Sequence, residues 1–196
     1  MLARLRPHSA NLMTAGRVVL TPVFVKLVVA AEGWRLWGAL AVVVFAAVAA
    51  SDVWDGRVAR RIGRESTMGR FLDHFADIAF LLPALAVYVW LGFMPWWVPA
   101  SVAAAFTFYV VDSQRRSAGG APSLITSRIG HAGGVSNYVL VGVLVCNNSA
   151  GILVLSPGFL LALYLLVPLY SGAAVVARLV TRRQARVAPV EMSAAG

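Results

Sequence analysis

Four aspartates stand at a spacing suited to metal-assisted phosphate chemistry. The chain carries eight acidic residues in 196, and Asp52, Asp55, Asp73 and Asp77 fall in one short stretch. Residues three and four apart share a helix face. Asp52, Asp55, Gly56 and Ala59 follow that spacing, and so do Gly69, Asp73 and Asp77. Two neighbouring helices would then aim four carboxylates at a common volume. Left uncompensated, such groups repel and must be protonated or hold cations. Oxygen-only donors favour a hard divalent ion, Mg²⁺ or Mn²⁺, and no Cys or His cluster points to zinc. Magnesium held by a few carboxylates completes its shell with water and substrate phosphates. The small residues Gly56, Ala59 and Gly69 let a ligand approach the helix backbones, and Arg60 offers a fixed donor to a phosphate. Together these features describe a diphosphate site. Ordinary pairing with the nearby arginines accounts for one or two aspartates, not for four on two matched faces.

The elements that must position these groups are set by composition. The chain is 60% hydrophobic and 13% charged, with a mean hydropathy of +0.78, against about 45–50% and about 25% in an ordinary soluble domain. That excludes a disordered chain, a collagen, a secreted disulfide scaffold and most cytosolic enzymes. At roughly 20 residues per crossing, the length allows six helices with short loops. The predicted architecture is all-α and integral to the membrane, with spans near 18–31, 36–50, 71–91, 96–111, 135–145 and 159–176. Residues 113–134 read as a polar, Gly-rich loop, and Pro83 is expected to kink helix 3. The sequence divides into a membrane domain over 1–181 and a basic tail over 182–196 that is expected to fray.

Charge fixes the direction of these spans. Arg4 and Arg6, the arginines between helices 2 and 3, Arg115, Arg116 and Arg128, and the C-terminal arginines all fall on one side. The positive-inside rule places that side, with both termini, in the cytoplasm. The aspartates therefore sit at the cytoplasmic ends of helices 2 and 3, in the cell (inner or plasma) membrane. Trp34, Trp37, Trp96 and Trp97 cluster at the opposite interface, as an aromatic belt does. The net charge of +9 reads as membrane topology and headgroup attraction rather than nucleic-acid binding. Arg17 and Lys26 interrupt the first apolar run, which argues against a cleaved signal peptide.

The pattern Asp52-x2-Asp55-Gly56-x2-Ala59-Arg60-x8-Gly69-x3-Asp73-x3-Asp77 resembles the signature of the CDP-alcohol phosphotransferases at every fixed position. Upstream, Asn11, Thr14, Arg17 and Pro22 look like the opening segment of the bacterial phosphatidyltransferase branch. The resemblance implies an enzyme that moves a phosphatidyl group from CDP-diacylglycerol to a small polar alcohol and releases CMP. It implies that Asp52, Asp55 and Asp73 ligate metal, two ions in all, and that Asp77 both ligates metal and acts as base. By the same resemblance Gly56, Ala59 and Gly69 shape the CMP pocket, Arg60 meets the diphosphate, Asn11, Thr14 and Arg17 belong to the substrate site, and the protein is a homodimer.

The acceptor stays open among glycerol 3-phosphate, inositol phosphate and serine. Where phosphatidylglycerophosphate synthases carry Pro and Lys after the third and fourth aspartates, this chain has His74 and Ile78. Their Gly-Lys-x-Lys-like stretch corresponds to Gly130-His131-Ala132-Gly133-Gly134 here. A phosphorylated acceptor needs cations, and Arg115, Arg116, Arg128 and His131 in the loop between helices 4 and 5 are the candidates. His74 reads as a neighbour of the metal face rather than a ligand. Asp112 reads as a partner of Arg115 or Arg116. Arg17 faces the active-site cavity, while Lys26 either snorkels or lines it. Phe75, Phe80 and Tyr109 read as packing, and Cys146 as a small buried side chain. A cation-coupled transporter is the competing class, but its sites belong nearer the bilayer midplane. An inactive scaffold with the same fold is a third reading, opposed by the intact acidic positions.

Overall fold

The computed structural model describes the backbone of residues 6–62, 67–116 and 128–194, and the side chains of residues 16–51, 72, 74–115 and 133–180. Among the described residues there are six α-helices: α1 (Arg6–Ala30), α2 (Arg35–Ile62), α3 (Thr67–Trp90), α4 (Trp97–Arg116), α5 (Arg128–Leu144) and α6 (Pro157–Ala194). A π-helical turn over Val145–Ser149 closes α5. The described residues hold no strand. Among the described residues one segment, Pro157–Val180, is long and apolar enough to cross a bilayer by length and composition; Arg35–Ser51 and His74–Trp90 are shorter apolar stretches.

Local chemistry explains the helix ends. Ser156 caps α6, its hydroxyl accepting from the Phe159 amide at 3.3 Å, and Pro157 takes the first helical position, where no amide donor is needed. α3 ends at Gly92, whose φ of +79° is a left-handed conformation that only glycine adopts cheaply. The Phe93 and Met94 amides then turn back to the Tyr88 carbonyl at 2.9 and 3.2 Å. The π-turn closes similarly, the Ala150 amide reaching the Val145 carbonyl at 2.9 Å and Gly151 adopting φ +63°.

α1 packs against both α2 and α3, α4 against α6, and α5 against α3 and α6. The fully buried core joins Phe24 and Val28 of α1, Val48 of α2, Phe80, Leu81 and Leu85 of α3, and Val141 and Leu144 of α5. Gly38 of α2 sits directly on the Ser149 carbonyl, where any β-carbon would overlap it. Tyr88 and Ser149 share a 2.9 Å hydrogen bond, and the Tyr164 hydroxyl donates to the Phe93 carbonyl at 2.8 Å. These contacts lock three of the connections together at one end of the bundle. The tryptophans Trp34, Trp37, Trp96 and Trp97 are exposed at that end. α6 turns Leu161, Leu165, Leu166 and Leu169 outward, an apolar exterior larger than a water-facing surface ordinarily carries.

Several sequence expectations change. The loop expected over 113–134 is shorter: α4 continues to Arg116 and α5 begins at Arg128, because Arg and Gln are good helix formers and Ser113 is buried. Arg115, Arg116, Arg128 and His131 therefore belong to helices rather than to a loop. α6 is helical to Ala194, where Arg, Gln and Ala residues favour helix. Phe75, read as packing, is 57% exposed. Cys146 is half-buried, and Lys26 lies on the exposed face of α1.

Candidate active site

An arginine in the apolar helix α1 demands a partner, because an unpaired buried charge is costly. Arg17 is 1% exposed. Its Nη1 donates to Oδ1 of Asp77 on α3 at 2.6 Å, a charge-assisted bond of the strong kind. Asp77 keeps a quarter of its side chain accessible, at 25%. A second donor reaches the same oxygen: the Tyr138 hydroxyl of α5, at 2.9 Å. One carboxylate thus joins three helices whose residues stand about sixty positions apart in sequence.

The Tyr138 ring is held by aromatic packing just inside this carboxylate. It stacks on Phe80 with centroids 6.1 Å apart and planes 12° from parallel, and touches Phe45 at 6.4 Å. Phe24 of α1 leans on Phe80 at 5.3 Å. Rings from α1, α2, α3 and α5 therefore form one cluster. Phe80, read as packing, is its centre, and it lies three residues from Asp77, almost one turn along α3.

The same cluster sets the register of α2 against α3. Phe45 and Phe80 stack at 6.5 Å. Asp52 follows Phe45 by seven residues and Asp73 precedes Phe80 by seven. With a rise of about 1.5 Å per residue, both backbone positions fall about 10 Å beyond that contact. Asp77 lies nearer to it and Asp55 farther out. This backbone register, with four carboxylates along it and His74 the one imidazole, fits a hard cation such as Mg²⁺ or Mn²⁺ better than a soft one. The side chains of Asp52, Asp55, Arg60 and Asp73 lie outside the described residues, as do those of Asn11, Thr14, Arg116, Arg128 and His131. Gly56 and Ala59 are placed only as backbone on α2, and Gly69 only on α3. Among the described side chains no three His, Cys, Asp or Glu residues cluster.

A second polar group lies beside α3. Asp112, 3% exposed, ion-pairs with Arg178 of α6 at 3.5 Å. The Arg178 guanidinium sits 4.2 Å from the Tyr109 ring centre; His74 stacks on the same ring at 5.8 Å and Phe106 lies against it at 6.4 Å. Tyr109 is therefore more than filler: it links α3, α4 and α6. His74, the residue after Asp73, stacks on Tyr109 of α4. Arg115 is exposed. A groove of about 200 Å³ runs between α5 and α6, lined by Val135, Ser136, Val139, Leu163, Leu166 and Tyr170; none of these residues belongs to either polar cluster.

Sequence reasoning missed Tyr138 and Arg178 as site neighbours. The signal for Arg178 was Asp112 itself, an acid that burial would force to find a cation. Tyr138 had no signal, since a tyrosine in an apolar helix is unremarkable without its cross-helix partner.

Comparison with known proteins gives a consistent picture. The family model described as CDP-alcohol phosphatidyltransferase matches residues 7–180. A CDP-diacylglycerol–glycerol-3-phosphate 3-phosphatidyltransferase of Pseudomonas fluorescens is 39% identical over 79 residues, 40% of each chain. The enzyme of that name from Escherichia coli strain K12 is 31% identical over 106 residues, 54% of this chain and 57% of that one. A cardiolipin synthase (CMP-forming) of Streptomyces coelicolor is 32% identical over 95 residues, 45% of this chain and 41% of that one. The matched segment thus spans about two fifths to somewhat over half of these relatives.

Proposed function

The chain belongs to the CDP-alcohol phosphatidyltransferase family, and from that premise we propose that it transfers a phosphatidyl group from CDP-diacylglycerol to an alcohol, releasing CMP. The observation that carries this reading is the placement of Asp77. The last aspartate of the motif is held by Arg17 and Tyr138, so that an ionised carboxylate is kept at the rim of the helical core. A carboxylate held in one orientation can take the proton from an acceptor hydroxyl, help typically worth about 10²–10⁴-fold. The hydroxyl oxygen forms its bond to the lipid-bearing phosphorus as the bond to CMP breaks. The hydroxyl proton passes to Asp77 and the electron pair leaves with CMP.

Asp52, Asp55, Asp73 and Asp77 are the residues that would hold Mg²⁺ or Mn²⁺, in our reading two ions. When bound, such ions neutralise charge on the diphosphate and favour departure of CMP. Gly56, Ala59 and Gly69 leave room for the nucleotide against the helix backbones, and Arg60 donates to the diphosphate. Asn11 and Thr14 border the same end of α1. Six membrane spans with both termini cytoplasmic place the acidic end where a lipid donor and a soluble nucleotide can both be reached. The protein works as a homodimer in this reading.

The relatives named for glycerol 3-phosphate make that compound the first acceptor to test, and Arg128, His131, Arg115 and Arg116 are candidates for its phosphate. The relative named cardiolipin synthase makes phosphatidylglycerol the second. The decisive experiment is CMP release from CDP-diacylglycerol by the reconstituted protein, with Mg²⁺, Mn²⁺ or chelator, across glycerol 3-phosphate, phosphatidylglycerol, inositol phosphate and serine. Metal-dependent release with one acceptor supports the proposal. No release with any acceptor refutes it.

A further inference from the structure

The Tyr138 hydroxyl has no part in the reading above beyond its bond to Asp77, and its surroundings give it one. Its ring lies parallel to and offset from Phe80 and is flanked by Phe45, which restricts its movement. Gly142, one turn further along α5, brings that helix against the Phe45 ring, where a β-carbon would come within 2.9 Å. The hydroxyl is therefore delivered to its place beside Asp77 by aromatic packing. At that point it donates to Asp77 Oδ1, the oxygen that also receives Arg17. Two donors from two different helices on one carboxylate oxygen fix both the side-chain rotamer and the tilt of the carboxylate plane. A single donor would leave the carboxylate able to swing about it.

We infer that Tyr138 is a positioning residue for phosphatidyl transfer: its hydroxyl, with Arg17, orients the Asp77 carboxylate that accepts the acceptor's proton. The inference rests on the proposed role of Asp77 as base. The residue acts through Asp77. A reacting geometry loosened by about 1 Å can cost on the order of 100-fold in rate, and a hydrogen bond to a charged group contributes on the order of 10-fold or more. Removing the hydroxyl alone should thus lower kcat by about 10- to 100-fold.

The test compares Tyr138→Phe, Tyr138→Leu and Asp77→Asn in the full-length protein reconstituted in lipid nanodiscs. Phe keeps the stacked ring and removes only the hydroxyl; Leu removes both. Readouts are kcat and both KM values for CMP release, CDP binding in the presence of Mn²⁺ measured by calorimetry, and the melting temperature. The inference expects Tyr138→Phe to lose about 10- to 100-fold in kcat. Both KM values and the CDP affinity should stay within about twofold, with the melting temperature near wild type. A Tyr138→Phe protein with kcat within twofold of wild type overturns the inference, and does so decisively if Tyr138→Leu is impaired, because the ring alone would then matter. That outcome leaves the base assignment standing if Asp77→Asn is inactive. Parallel losses in kcat, CDP affinity and melting temperature in Tyr138→Phe also overturn it, since they mark a merely structural role. An active Asp77→Asn protein overturns the base assignment itself and the inference with it.

Discussion

The Arg17–Asp77 pair gives a prediction whose sign can be worked out from burial alone. Arg17 is 1% exposed and its carboxylate partner 25%. Removing one member of a buried pair typically costs about 3–5 kcal/mol, because a charge is left without compensation. The partial exposure of Asp77, and the Tyr138 bond that survives, bring the expected cost of Arg17→Met to about 2–4 kcal/mol. Asp77→Asn takes this carboxylate away from the deeper charge and should cost a similar amount. In Arg17→Met/Asp77→Asn neither charge remains, the volumes are nearly kept, and Tyr138 can still donate to the amide oxygen. The double variant should therefore lose only about 1–2 kcal/mol, where independent effects would sum to about 4–8. For a chain of this size each kcal/mol moves the melting temperature by about 2–4 °C. The singles should melt about 4–16 °C below wild type and the double should recover most of that. The assay is thermal unfolding in detergent followed by the intrinsic fluorescence of the six tryptophans. A double variant as unstable as the sum of its singles would refute the pairing.

Further predictions bear on the bundle and on the acceptor. Gly38→Ala drives a β-carbon into the Ser149 carbonyl and should destabilise by about 1–3 kcal/mol, visible as a lower melting temperature. Arg178→Ala removes an ion-pair partner of buried Asp112 and a cation over the Tyr109 ring; it should cost about 2–4 kcal/mol, with Arg178→Lys recovering only part because the planar guanidinium is lost. Arg128→Ala should raise the KM for glycerol 3-phosphate more than that for CDP-diacylglycerol, and an unchanged acceptor KM would return Arg128 to a topological role.

The sequence carried the helices because each is a long apolar run ended by charge, Gly or Pro, and such runs are local. Gly92 and Ser156–Pro157 mark ends that composition alone locates. The helix ends at Arg116 and Arg128 were misjudged because polarity was taken for loop, whereas Arg and Gln continue a helix well. The acidic motif was legible because its spacing lies within two helices. The partners of Asp77 and Asp112 were not, because Arg17, Tyr138 and Arg178 stand about 60 residues or more away and no periodicity links them. What the sequence did offer was a demand: Arg17 is too costly in an apolar helix to stand alone. Its answer needed the packing of α1 on α3.

The central claim is that carboxylates from α2 and α3 hold divalent ions against a nucleotide diphosphate. Electron–nuclear double resonance of Mn²⁺ bound to the protein with CDP reads this directly. The account predicts a ³¹P coupling to protein-bound Mn²⁺ that disappears in Asp55→Asn and in Asp73→Asn. Bound Mn²⁺ without phosphorus coupling, or a coupling indifferent to both substitutions, would contradict it.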